Sequence, residues 1–357
     1  MIRAVGIVGV LIVFGIALLY GFRAPLALRL AESAIARNMA SSLLDELPDG
    51  LHVALCGAGS PLPDPDRSGP CVAVVAGGRL YVVDAGAGAS RVLARLRLPQ
   101  GRVEAVFLTH FHSDHIDGLG ELMLQRWAGG AKRSPTPVYG PLGVGRVVEG
   151  FDRAYAQDTT YRVAHHGEEV VPRSGAGGRA RPFGTPADGE ERLVFEADDL
   201  RITAFRVDHR PVDPAVGYRF DHAGRSVVVS GDTRKSANVA KFAEGVDLLV
   251  HEALSTRLVA LIGAAAAEAG RHNVAKITED IVDYHTTPVE AAEVARDASV
   301  GALLYYHIVP PLPLAPLEDV FLEGVDEVYR GPVYLGRDGT LLSLPADSSA
   351  IEHRELL

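Results

Sequence analysis

The chain has 357 residues, of which 47% are hydrophobic and 22% are charged, and its formal net charge is −10. This is enough apolar sequence to bury the core of one large domain or two small ones, and it excludes a disordered chain. The acidic balance argues against a protein dedicated to nucleic-acid binding, which usually carries a basic face. A local basic patch stays compatible with the composition.

The N-terminal residues 1–22 differ from the rest of the chain, because no charged side chain occurs between Arg3 and Arg23. A helix of this length, at about 1.5 Å per residue, approaches the thickness of the hydrocarbon core of a bilayer. No small-residue cleavage pattern directly follows Phe22, so we predict an uncleaved transmembrane helix, with an exported signal peptide as the alternative. The prediction anchors the protein in the inner membrane and places its large C-terminal domain in the periplasm or elsewhere outside the cytoplasm.

Residues 23–48 are predicted to form a helical connector, and residues 49–357 one globular domain. Strand-like runs, rich in β-branched residues, occupy 51–57, 71–85, 103–109, 136–140, 193–209, 218–230, 247–253 and 301–309. Helical spacing is found in 117–130, the first part of 141–170, 235–244, 254–269 and 288–298. The Gly/Pro-rich residues 171–190 are predicted to form a long surface loop. Strands and helices mixed in this way predict an α/β class with two sheets or one large sheet.

Two cysteines, Cys56 and Cys71, bracket a turn-rich stretch between two apolar runs. If these runs are neighbouring strands, the sulfur atoms can meet in a disulfide, which would suit an oxidising compartment. Two small buried thiols are the alternative, and the sequence favours neither.

The stretch THFHSDHIDG crowds three histidines and two aspartates after an apolar strand. Alternate residues of an extended segment point the same way, so His110 and His112 can share one metal ion. Asp114 and His115 follow where the chain turns into a helix, and we expect them to face a second ion. Imidazole nitrogens and carboxylate oxygens suit zinc without any thiolate. The motif therefore predicts a metal site with room for two ions.

Further ionisable side chains occur directly after other apolar strands, at the ends where α/β folds place their sites. They are, in chain order, Asp208, His209, Asp232, His251, Glu252 and His307. If Asp232 bridges, two divalent metal ions, predicted to be Zn²⁺, would have about four ligands each. The predicted metal ligands are His110, His112, Asp114, His115, His209, Asp232 and His307.

The His-x-His-x-Asp-His motif, a later histidine, a Gly-Asp-Thr and a last histidine resemble the signature of the metallo-β-lactamase superfamily. The resemblance covers roughly residues 50–345 and implies a four-layer αββα sandwich with a dinuclear metal site, supported by Asp84. The segments GDTRKSANVAKFAEGVDLLVHEA and YHTTPVEAAEVA are similar to those of its ribonuclease Z/arylsulfatase-like branch. For that branch the resemblance implies that His285 protonates the leaving group and that Glu252 orients it. We expect Asp114 to orient a metal-bridging hydroxide and to accept its proton.

The function favoured at this point is that of a metal-dependent hydrolase of small-molecule sulfate or phosphate esters, arylsulfatase-like or phosphodiesterase-like. The alternatives are a ribonuclease Z-type tRNA 3′-end endonuclease, and a lactonase or β-lactamase. A tRNA-processing member of the branch usually carries a flexible basic arm, and the nearest counterpart here, residues 171–190 with Arg173, Arg179 and Arg181, is short. We therefore expect a small anionic ester as substrate, membrane contact through the N-terminal helix, and no nucleic-acid partner. A homodimer is left open.

Overall fold

The computed structural model describes the backbone of residues 2–357, and it describes the side chains of residues 20–37 and 39–357. Its strands lie, in chain order, at β1 Gly50–Gly57, β2 Cys71–Ala76, β3 Arg79–Val83, β4 Val103–Phe107, β5 Thr136–Pro141, β6 Gly178–Phe183, β7 Glu191–Ala197, β8 Leu200–Arg206, β9 Val216–His222, β10 Arg225–Val229, β11 Leu248–Leu254, β12 Ala302–Val309, β13 Val333–Leu335, β14 Thr340–Pro345 and β15 Glu352–Glu355.

The α-helices lie, in chain order, at α1 Ile2–Ala40, α2 Leu43–Glu46, α3 Ala89–Arg95, α4 Ser113–Ile116, α5 Leu119–Gly130, α6 Val144–His166, α7 Ala237–Phe242, α8 Thr256–Glu268, α9 His272–Asp280, α10 Pro288–Asp297, α11 Pro316–Phe321 and α12 Val325–Val328. Single 3₁₀ turns lie at Gln100–Arg102, Arg173–Gly175 and Ile281–Tyr284.

The N-terminal helix α1 does not bear out the expected membrane anchor. Within the described part of the chain, no helix is both long enough and apolar enough to cross a bilayer. The apolar run is continuous with a charged stretch that includes Arg29 and Glu32, so it is not an element of its own. The predicted transmembrane helix over residues 1–22 is therefore wrong on this finding, and with it the predicted anchoring in the inner membrane. The side chains of residues 1–19 lie outside the described residues.

The strands form two sheets. The first sheet has the order β15-β14-β1-β2-β3-β4-β5-β6, and the second has the order β13-β12-β11-β10-β9-β8-β7. Strands β3 to β6 pair in parallel in the first sheet, as do β10 to β13 in the second, and all other neighbours are antiparallel. Each sheet therefore has a parallel half and an antiparallel half.

The main core lies between the two sheets. From the first sheet, the ring of Phe107 in β4 packs there against Tyr218 and Phe220 of β9 in the second sheet. It meets these two rings edge to face, with centroids 5.6 and 6.0 Å apart. Edge-to-face contacts are a favourable arrangement for buried aromatic rings. This contact fixes the two sheets face to face.

Strand β1 contributes a row of aliphatic side chains to the same core. Leu51, Val53 and Leu55 point into the space between the sheets, and all three are fully buried. They alternate along the strand with Ala54 and Cys56, which face the helices, as the pleat of a strand requires. Because both faces of β1 are covered, the strand has a continuous apolar sequence.

Helices cover the outer face of each sheet. On the first sheet, Val82 of β3 and Val138 of β5 pack against Leu93 of α3 and Leu122 of α5. On the second sheet, α7 and α10 cover side chains such as Leu303 of β12. The layers are therefore helix, sheet, sheet and helix, and the predicted αββα sandwich is confirmed.

Two segments of the structure differ from what the sequence analysis predicted. Residues 171–190, predicted to be a long surface loop, contain β6, which pairs in parallel with β5 and extends the first sheet. The sequence did not indicate this strand, because β6 lies at the edge of the sheet and has exposed arginines at 179 and 181 in place of an apolar run. The helix α9 was not predicted, since its polar residues outnumber its apolar ones.

The parallel halves of both sheets point their carboxyl ends at one edge of the sandwich, which we call the strand-tip edge. Strand β3 is followed there by Asp84, β4 by His110, and β10 by Asp232. Near the same edge, Cys56 of β1 and Cys71 of β2 form a disulfide across an antiparallel pair. The fold thus collects residues that are far apart in sequence at a single place.

Candidate metal centre

The His-x-His-x-Asp-His motif lies in the turn between β4 and α4. His110 and His112 come from its extended part, and their ring centroids are 4.8 Å apart. Asp114 and His115 lie in the first turn of α4, where the ring of His115 is 4.1 Å from that of His110. One short segment therefore supplies four closely spaced side chains.

Three distant side chains join them. His209 follows β8, Asp232 follows β10, and His307 lies in β12. The ligand atoms form two groups, each within 4.8 Å of one another, namely His110, His112, His209 and Asp232 in one group, and Asp114, His115 and His307 in the other. The structure thus brings together all seven residues that the sequence analysis selected as metal ligands.

Asp232 lies between the two groups. Its Oδ2 atom is 3.2 Å from Nε2 of His115 and 3.3 Å from Nε2 of His307. The same oxygen is 3.8 Å from Nε2 of His110 and 3.9 Å from Nε2 of His209. A carboxylate in this position can bridge two cations.

Asp84 holds Thr109, which precedes the motif, and His115, which belongs to it. Its carboxylate accepts hydrogen bonds from the amide and the hydroxyl of Thr109, each at 2.8 Å, and from Nδ1 of His115 at 2.8 Å. These bonds leave Nε2 of His115 directed at the cluster. Carboxylates that hold a histidine in this way fix its tautomer and strengthen it as a ligand.

His209 is held by the main chain. Its Nδ1 donates to the carbonyl oxygen of Tyr284 at 3.0 Å, which directs Nε2 toward the cluster. Burial lowers the pKa of His209 to about 4, although the charge of Asp232 acts in the opposite direction. The ring is therefore neutral at physiological pH, the state in which imidazole binds a metal.

His307 reaches the cluster because β12 is irregular at this residue. The pairing of β11 with β12 shifts between Glu252 and Ala253, and His307 has a φ of 45°, in the left-handed region. Such a conformation is unfavourable for a residue with a side chain and is found at functional sites. Here it brings Nε2 to 3.3 Å from Oδ2 of Asp114.

His285 and Glu252 form a pair beside the cluster. Nδ1 of His285 lies 3.2 Å from Oε1 of Glu252, which is fully buried. The same carboxylate oxygen accepts a hydrogen bond from the amide of Thr286 at 2.9 Å. His285 also forms a third close group with Asp232 and His307. It is thus within reach of anything bound at the centre.

The donor set fits divalent cations. Nε2 of His110 and Oδ1 of Asp232 are buried without a hydrogen-bond partner among the described residues. Burial acts to lower the pKa of His115, but the charges of Asp232, Asp84 and Asp114 raise it well above its usual value. This strong negative potential, lined by imidazoles and carboxylates, suits zinc.

Sequence reasoning indicated Asp84 as a support of the site, but it missed two other groups that orient candidate ligands, Thr109 and the carbonyl group of Tyr284. Thr109 directly precedes the motif, so its position in the sequence could have indicated that its hydroxyl group lies beside the ligands. Tyr284 acts through its carbonyl group, which no side-chain pattern reveals. His251, by contrast, follows the same apolar strand as Glu252 but donates to the main chain, at 2.7 Å from the carbonyl oxygen of Glu252. Within the described residues, it belongs to none of the close groups.

Comparison with known proteins agrees with this geometry. Residues 79–308 match the family model described as "Beta-lactamase superfamily domain". The chain belongs to the metallo-β-lactamase superfamily. Membership of this superfamily, together with the clustered ligands, confirms the expectation of a metal-dependent hydrolase.

Curated relatives of this superfamily member are named ribonuclease Z. The protein of Mycolicibacterium gilvum (strain PYR-GCK) is 36% identical over 267 residues, which cover 73% of this chain and 85% of the relative. The protein of Mycobacterium avium (strain 104) is 34% identical over 290 residues, which cover 81% and 96%.

Among solved structures, the short form of human tRNase Z has a TM-score of 0.58 at 22% identity, covering 82% of this chain and 99% of that one. The metallo-beta-lactamase fold protein YhfI from Bacillus subtilis has a TM-score of 0.58 at 19% identity, with the same coverage of 82% and 99%. At these identities the likeness shows the fold alone.

The relatives correct the expected partners. A small anionic ester as substrate and the absence of a nucleic-acid partner are both wrong, because the curated relatives are named as ribonucleases. The expected membrane contact is also wrong, because it depended on the predicted transmembrane helix, which the described residues do not support.

Proposed function

We propose that the chain is a zinc-dependent endonuclease of the ribonuclease Z type, which cuts precursor tRNA at its 3′ end. The observation that carries the proposal is the position of His285 beside a cluster of seven side chains that could bind metal, in a chain whose curated relatives are named ribonuclease Z. The two ligand groups around Asp232 support two Zn²⁺ ions, since zinc is usually held by four ligands of these types.

Two ions held by these residues would lower the pKa of water and polarise the scissile phosphate. Asp114 is the group that accepts a proton from the attacking water. Burial acts to raise the pKa of Asp114, but His115 and His307 outweigh it, and the net pKa lies below the usual value. The carboxylate is therefore ionised at neutral pH, the state in which it can accept a hydrogen bond from the attacking water.

His285 is the group that protonates the departing 3′-oxygen. Burial acts to lower the pKa of His285, but the charge of Glu252 outweighs it and the net pKa lies above the usual value. A raised pKa favours the protonated ring that a general acid requires. Because Nδ1 faces Glu252, Nε2 is the nitrogen available to the substrate.

Positive charge next to the centre supports an RNA substrate, in spite of the net charge of −10. Arg210 and Arg234 follow the ligands His209 and Asp232, and their side chains are 72% and 40% exposed. Both pair with Asp208, and hydrogen bonds from Arg210 lower the pKa of that carboxyl to about 2. Arginines in this position can bind the phosphates of a nucleic acid.

The test is cleavage of a precursor tRNA with a 3′ trailer by the metal-loaded full chain, followed on a gel. We expect one cut at the 3′ side, lost on chelation and restored by Zn²⁺, with binding that weakens steeply as salt increases. Asp232→Asn should abolish the cut. A metal-loaded protein that leaves the precursor intact but opens lactones or β-lactams would contradict the proposal and favour the other alternative.

A further inference from the structure

A pocket adjoins the metal centre on the side of α8 and α9. Its volume is about 470 Å³, within the range of small-ligand sites, and His112, Asp114 and Asp232 lie at one end of it. The other end is lined by apolar side chains, among them those of Ile262 and Ile277. One continuous pocket therefore has an end that suits an anion and an end that suits an apolar group.

The helices α8 and α9 pack closely, which makes the apolar wall a preformed surface. A Cβ atom at Gly263 of α8 would lie 2.7 Å from Oγ1 of Thr278 in α9, so a larger residue there would require the side chain of Thr278 to shift. Val274 and Ile277 of α9 line the pocket, and Ile277 is 57% exposed. The side chain of Ile277 is therefore available to a ligand in a pocket that continues to the metal centre.

The mouth of the pocket adds aromatic and cationic groups. Tyr284 lines it beside His285, with ring centroids 5.0 Å apart, and Arg271 lines it from the N-terminal end of α9. Aromatic rings and arginine side chains are the groups on which single-stranded bases stack. The combination of an anion site, apolar walls and stacking groups matches a nucleotide better than a phosphate alone.

We propose that this pocket binds the nucleobase of a nucleotide that flanks the scissile phosphate, with the phosphate at the metal centre and the base against Val274, Ile277 and Tyr284. The inference rests on the proposed function, whose substrate it describes in more detail. The base is unstacked from its neighbour when it enters, and contact with the apolar wall offsets that cost. Single bases stacked on protein side chains contribute roughly tenfold to a hundredfold in affinity.

The test is calorimetric binding of adenosine 3′-monophosphate, adenosine 5′-monophosphate and ribose 5-phosphate to the zinc-loaded full chain. The third ligand has the sugar and the phosphate but no base. We expect at least one adenosine nucleotide to bind about tenfold or more tightly than ribose 5-phosphate. The double variant Val274→Ser/Ile277→Ser should reduce that nucleotide to the affinity of ribose 5-phosphate.

Leu261→Ser is the matched control. Leu261 lies on α8, next to Ile262, is 64% exposed and does not line the pocket, so the preference for a base should persist. Equal binding of all three ligands, binding of none, or an unchanged preference in the double variant would overturn the inference. Precursor cleavage without a base preference overturns this inference alone, whereas a base preference without precursor cleavage overturns the proposed function alone.

Discussion

The two ends of the sandwich use the same residue types with different results. At the strand-tip edge, histidines and aspartates converge, with their ligand atoms in groups that lie within 4.8 Å of one another. At the opposite end, His52 has both ring nitrogens within 2.9 Å of protein oxygens, those of Ser343 and Pro48. His222 lies there beside Asp199, with Nδ1 3.0 Å from Oδ1.

Residue type alone therefore does not make a metal site. The side chains of Asp199 and Asp49, the carboxylates nearest to His222, are 61% and 74% exposed. Water can therefore solvate them, whereas Asp232 is 2% exposed and surrounded by imidazoles. Buried carboxylates need a compensating cation or hydrogen bonds, and the centre offers a place for a cation.

Removing an imidazole from the centre should have the largest effect on metal binding and on activity. His110→Ala deletes a fully buried side chain that we propose as a ligand. We expect metal content to fall and precursor cleavage to drop by more than about a hundredfold, since losing a group that only orients a ligand already costs about ten- to a hundredfold. Metal analysis and cleavage rates measure both. His222→Gln is the matched control and should keep both; retention of full metal by His110→Ala would contradict the assignment.

Changing the proton donor should separate chemistry from metal binding. We expect His285→Ala to retain its metal and to lose about a hundredfold or more in rate on RNA, because the departing 3′-oxygen needs a proton. The loss should be much smaller on a phosphodiester that releases p-nitrophenol, which leaves without protonation. Equal losses on both substrates would remove His285 from the acid role.

Weakening the support behind the ligands should have a smaller effect. Asp84→Asn keeps the size of the side chain but removes the negative charge of the carboxylate, which accepts a hydrogen bond from Nδ1 of His115. We expect metal affinity to fall about ten- to a hundredfold, measured by competition with a chelator. Asp199→Asn, which changes the carboxylate beside His222, should leave the metal affinity unchanged. A similar loss of affinity in this control would contradict the specific role of Asp84.

The smallest expected effect concerns stability at the opposite end. Burial lowers the pKa of His52 below its ordinary value of 6.5. The unfolded chain therefore binds this proton more readily, so the contribution of His52 to stability is present above about pH 6.5 and is lost as the pH falls below that value. The Tm of His52→Gln should fall less than that of the wild type between about pH 7.5 and about pH 5.5. An equal fall would exclude this role.

Local patterns indicated several of the side chains that lie close together at the candidate centre. Alternation in an extended segment indicated that His110 and His112 share one side, and both lie in one ligand group. The place of Asp232 after an apolar run indicated a strand tip. The approach of His307 was not derivable in this way, because regular alternation would direct it to the helix-covered face together with Tyr305. The bulge in β12 that redirects it depends on pairing with β11.

The helices α8 and α9 show the same limit. The sequence indicated α8 but not α9, and neither pattern indicated that Ile277 would line a pocket shared with the metal centre. The edge strand β6 was also missed, since it is recognisable only by its pairing with β5. In each case the deciding interaction is with a residue far away in the chain.

By itself, the sequence determined which side chains are available for chemistry and that most of them follow apolar strands, because strand periodicity and ligand chemistry are local properties. The bulge that turns His307 toward the centre, the carbonyl group of Tyr284 that holds His209, and the apolar wall beside the centre became evident only in the tertiary structure. These relations depend on the packing of two sheets against each other, and packing is set by contacts between residues that the sequence keeps far apart.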